Sequence, residues 1–92
     1  MSRITRHLIV HGRVQGVAYR DSMRIQAHAL NITGWVRNRR DGTVEAMVQG
    51  EPEQVERIVG WARRGPPAAK VTNVDVTDGE GDYAAFEVSP TL

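Results

Sequence analysis

Apolar and polar residues alternate along the first segment, "RITRHLIVHG" (3–12). Ile4, Leu8 and Val10 fall on one face, and Thr5, His7, Ile9 and His11 on the other. This period of two predicts a strand ending at Gly12. The period then changes. In "RDSMRIQAHALN" (20–31), Met23, Ala27 and Leu30 recur at spacings of four and three, with Ala18 or Tyr19 leading in. That spacing predicts a helix, and Asn31 suits the left-handed position just past its end. "TGWVRNRRDGTVEAMVQG" (33–50) predicts a hairpin. Trp35 and Val36 lie in its first strand, Asp41-Gly42 makes the turn, and Val44, Ala46 and Val48 alternate in the second strand. "EPEQVERIVGWARRG" (51–65) predicts a second helix, with Pro52 in the first turn and a stripe of Val55, Ile58, Val59 and Ala62. Arg63 and Arg64 complement its negative end, and Gly65-Pro66-Pro67 stops it. Strands over 70–79 and 83–88, separated by the polar turn "DGEGD" (78–82), complete the chain.

The order is β-α-β-β-α-β with a small strand added. It predicts an α+β fold of the split βαβ kind, an antiparallel sheet with two helices on one face. The other face stays partly open, which suits the mixed polar face of the first strand. Trp35, at strand spacing, is expected in the core. With 92 residues and no repeat or linker, the expectation is one domain over 1–92.

Composition narrows the function classes. Hydrophobic residues make up 40% and charged residues 25%, ordinary for a soluble domain. The apolar run "LIV" is too short for a signal peptide, and no run approaches a membrane span, so a cytoplasmic protein is expected. The absence of cysteine excludes disulfides, thiolate catalysis and cysteine zinc sites. Net charge is +1, so the molecule as a whole is not a polyanion binder. Eleven of the twelve basic residues are Arg, a side chain suited to bidentate contact with phosphate or carboxylate, although codon bias also produces such a skew.

The stretch "GRVQGVAYR" (12–20) joins the first strand to the first helix. Such a junction collects unpaired backbone N–H groups at the positive end of a helix dipole. Gly12 and Gly16 let the backbone curl into a nest, and Arg20 reaches the same place, which describes a phosphate or carboxylate cradle. A glycine turn with a solvated Arg is the plainer reading. The stretch is neither a Walker A loop nor GxGxxG. Asn38 sits between a strand end and the Asp41-Gly42 turn. Its amide donates and accepts, as positioning a water requires, though taken alone a turn-forming Asn is the plainer reading there. Arg37, Arg39 and Arg40 form either a solvated rim or a field attracting an anion.

Taken together these segments resemble the acylphosphatase family. "GRVQGVAYR" is similar to the signature G-x-V-Q-G-V followed by two residues and Arg, and "GWVRNRRDGTVE" (34–45) to G-W-V-x-N followed by D-G-x-V. "GPPAAKVTNVDV" (65–76) is similar to the family's link into the next strand. The resemblance implies a ferredoxin-like fold and metal-independent hydrolysis of a carboxylic–phosphoric anhydride, with no cofactor. It places the catalytic Arg at Arg20 and the catalytic Asn at Asn38. The phosphate-binding backbone N–H groups fall on Val14, Gln15, Gly16, Val17, Ala18 and Tyr19. The implied partner is a small-molecule acyl phosphate, and the expected state is a monomer. Asp21 is expected to point away from the cradle, since a carboxylate there opposes phosphate.

Other chemistries fit less well. His7 and His11 share a face but stand roughly 13 Å apart along a strand, too far for one metal. An RNA-binding module of this fold class needs stacking aromatics and an RNP-like pattern, whereas this chain has only Trp35, Trp61, Tyr19, Tyr83 and Phe86. A binding domain that keeps the cradle without turnover is the remaining alternative. Retention of both Arg20 and Asn38 speaks against it.

Overall fold

The computed structural model describes residues 2–91. Its elements are β1 (Ile4–Arg13), α1 (Tyr19–Ala29), β2 (Thr33–Asn38), β3 (Val44–Gly50), α2 (Pro52–Ala62), β4 (Lys70–Asp78) and β5 (Phe86–Val88). The five strands form one sheet in the order β4-β1-β3-β2-β5. β1 pairs with β3 on one side and β4 on the other, both antiparallel. Both helices lie against the face that carries Leu8, Val10, Val36, Val44, Ala46 and Val48, all fully buried. Tyr19, Met23 and Ala27 of α1 and Val55, Ile58 and Ala62 of α2 close over that face. Each large apolar side chain so buried stabilises the fold by about 1.5–3 kcal/mol relative to exposure.

Three features differ from the sequence expectation. The sheet is mixed rather than wholly antiparallel, because β5 runs parallel to β2. Its length is also shorter than expected. Tyr83 lies in a loop instead, its N–H donating to the buried Gln49 Oε1 at 3.2 Å and its hydroxyl to the Glu80 carbonyl at 2.7 Å. Trp35 lies on the open face rather than in the core, since Gly34 and Val36 take the inward positions of β2. The Arg37 guanidinium covers its ring at 4.8 Å, a cation–π contact that shields the indole from water.

The open face is held by charge. Glu45 accepts from His7 Nε2 at 2.6 Å and from Arg37 Nε at 2.8 Å. Desolvation raises the Glu45 carboxyl, but the hydrogen bonds from His7 and Arg37 outweigh it, and the net pKa lies below the ordinary 4.5. A depressed folded pKa means that the ionised carboxylate stabilises the fold above pH 4.5 and that this contribution is lost as pH falls through the folded value. Glu45→Gln is therefore expected to lower stability at pH 7 by about 1–2 kcal/mol, with the gap to wild type closing at acid pH. Urea midpoints measured from pH 7 downward check this, and a gap independent of pH would overturn it.

Candidate active site

The chain leaves β1 through a bulge at His11/Gly12. Gly12 is required there by β4, not by a ligand. At its φ of +120° a Cβ would stand 2.1 Å from the Lys70 carbonyl oxygen. The curl itself comes later, at Gly16 (φ 74°) and Ala18 (φ 63°, ψ 26°), both left-handed. Ala18 is the N-cap of α1 and has no side chain to satisfy the first-turn N–H groups. They are left for another acceptor, at the positive end of the helix.

Two side chains fix this loop. Gln15 Nε2 donates to the Arg39 carbonyl at 2.7 Å and the Thr43 carbonyl at 2.9 Å, so it ties the loop to the β2–β3 turn. That turn is braced in its own right. Asp41 accepts from the Thr43 hydroxyl at 2.6 Å and the Thr43 N–H at 3.0 Å, bonds that hold its carboxyl below the usual range. Tyr19 is the second anchor. Its buried hydroxyl donates to the Ala62 carbonyl at 2.8 Å, satisfying an end carbonyl of α2, and its ring lies 5.3 Å from that of Trp61. Burial pushes the Tyr19 phenol well above its ordinary value, so it remains a donor.

A cleft of about 360 Å³ opens between the loop, the first turns of α1 and the ends of β2 and β5. Of the residues expected at the site, Val14, Gly16, Ala18, Tyr19, Arg20 and Asn38 line it. Gln15 and Val17 do not: Gln15 faces the hairpin, and the Val17 side chain belongs to the core. Asn38, the last residue of β2, presents a buried Oδ1 with no hydrogen-bond partner. Asp21 is in the cleft wall, but its carboxylate is largely exposed and held by Arg24 at 2.9 Å. A second cleft of about 370 Å³, lined by Arg37, Arg39, Arg40 and Asp41, meets the first at Asn38. Arg37 is committed to Glu45, and Arg39 lies 3.9 Å from Asp41.

The reading of the sequence missed Gln15 as a tether, and missed Arg24 and Val88, which complete the cleft. The four-residue step from Arg20 to Arg24 was a usable signal, since it places both on one helix face. His7 and His11 pair with Glu45 and Asp75, and no group of three or more metal donors is gathered among the described residues. No helix there is long and apolar enough to cross a membrane.

Fold and cleft together define a small ferredoxin-like α+β domain whose strand–helix junction presents uncapped backbone amides beside Arg20. The family model for acylphosphatase matches residues 6–88. An acylphosphatase of Thiobacillus denitrificans is 55% identical over 83 residues, covering 90% of this chain and 93% of its own. One from Cupriavidus necator is 51% identical over the full length of both. The solved acylphosphatase of Coxiella burnetii superposes with a TM-score of 0.91 at 39% identity, over 95% of this chain and 93% of that one. The chain belongs to the acylphosphatase family, hydrolases of the acid anhydride between a carboxylate and phosphate.

Proposed function

We propose that this chain hydrolyses acyl phosphates without a metal or organic cofactor. Arg20 and the N–H groups from Val14 to Tyr19 hold the phosphoryl group, and Asn38 places the attacking water. The observation that carries the reading is the unpartnered Asn38 Oδ1, buried in the wall of the cleft that Arg20 also lines. A buried acceptor left unpaired is unfavourable unless something fills it, and a water donating there stands next to the cradle.

The chemistry suits so sparse a site. The water oxygen forms a bond to phosphorus as the bond from phosphorus to the acyl oxygen breaks. The carboxylate leaves with the electron pair and needs no strong acid. Phosphoryl transfer asks mainly for position and for stabilisation of charge on three oxygens. Arg20 and the cradle amides supply that charge. The reading uses no carboxylate as a general base; Asp21, in the cleft wall, is paired with Arg24. The water proton passes to a phosphoryl oxygen of the substrate. Turnover of benzoyl phosphate to benzoate and phosphate in excess chelator tests the reading. A protein that binds phosphate but does not turn over is an anion-binding domain instead.

The reading extends to a single domain over 1–92, a cytoplasmic monomer that acts on a small molecule and not on nucleic acid or membrane. The surface supports the monomer: Ile25 and Val88 are the exposed large hydrophobics among the described residues, with no broad apolar patch between copies implied. Light scattering is expected to give one species near 10.2 kDa, and a dimer mass would overturn this part.

A further inference from the structure

We propose that Arg24 selects acyl phosphates whose acyl chain carries a second, distal carboxylate. The inference rests on Arg20 and the cradle holding the scissile phosphoryl group. Arg24 lies one turn further along α1 than Arg20, a rise of about 6 Å on the same helix face. Both line the one cleft, with Val88 on its wall.

The state of the Arg24 fork makes it a receptor. Its Nε and Nη2 donate to the same Asp21 oxygen, at 3.3 and 2.9 Å. The guanidinium plane is thereby held over the first turn of α1, while its Nη1 enters no hydrogen bond among the described residues. An exposed pair three residues apart on a helix is worth little by itself. A substrate carboxylate can join or displace Asp21 at small cost and gain charge-assisted hydrogen bonds. Since Asp21 offsets the charge of Arg24, the gain comes from directed contact rather than from long-range attraction. It therefore depends on chain length. A four-carbon dicarboxylic acyl group, with its phosphate in the cradle, brings its second carboxylate to the Arg24 fork held over the first turn of α1. Its methylenes pass the exposed Val88 side chain, an apolar wall of the right size.

Succinyl phosphate and acetyl phosphate separate the two ends of the substrate. The readout is the ratio of their kcat/KM values, in wild type, Arg24→Gln and Arg24→Lys. The wild-type ratio is expected to favour succinyl phosphate and to fall about tenfold in Arg24→Gln, with Arg24→Lys keeping part of the preference. An unchanged ratio in Arg24→Gln overturns the proposal while leaving the hydrolase reading intact. Failure of wild type to hydrolyse either compound overturns the hydrolase reading beneath it.

Discussion

Asn38→Ala is expected to lower kcat for benzoyl phosphate by about a hundredfold, the size of effect that follows when a reacting group loses its alignment. Affinity for inorganic phosphate is expected to stay close to wild type, because the cradle and Arg20 remain. Stability provides a second readout. Asn38 Oδ1 accepts no hydrogen bond from the protein, so its removal breaks none within the fold. The variant is therefore expected to unfold no earlier than wild type. Steady-state kinetics, phosphate titration and thermal melting together check this. If phosphate binding falls in step with kcat, Asn38 is holding the phosphoryl group and not the water.

Arg20→Gln is expected to be more severe, lowering kcat/KM by about a thousandfold or more, in the range of arginines that neutralise a phosphoryl transition state. Arg20 enters none of the ion pairs among the described residues, so its charge is available to a ligand. It is the second residue of α1, where it adds to the field of the unpaired first-turn amides. Lys at this position restores the charge but not the planar fork, so Arg20→Lys is expected to recover only part of the rate. Phosphate affinity should fall in Arg20→Gln, unlike in Asn38→Ala. Wild-type affinity retained in Arg20→Gln would remove Arg20 from the cradle.

The periodicities carried most of the architecture. Val10, Met23, Ile58 and Val48 are buried where their spacing put them, and Asn31 adopts a left-handed φ of 55° just past α1. What pattern alone could not supply was tertiary. Trp35 fits a strand on either face, and only the burial of Gly34 and Val36 turns it outward onto Arg37. The parallel pairing of β5 depends on where α2 and β4 deliver the chain, which no local signal records. At the site, the junction, Arg20 and Asn38 were legible because glycine placement and motif spacing are local. The Gln15 tether was not, because a glutamine amide bridging two hairpin carbonyls 24 and 28 residues away leaves no periodic trace.

β1 is an interior strand of the sheet, and both of its neighbours come later in the chain. His7 stands opposite Met47 on one side and Thr77 on the other, so β1 pairs with strands made later than itself. Until β4 emerges, β1 has one open edge and the bulge at Gly12 has nothing to lean on. Long-range pairings of this kind close late and together. A nascent chain that already contains Arg20 and Asn38 thus carries these residues of the cleft without the cleft, which takes shape only once β4 and β5 have been made.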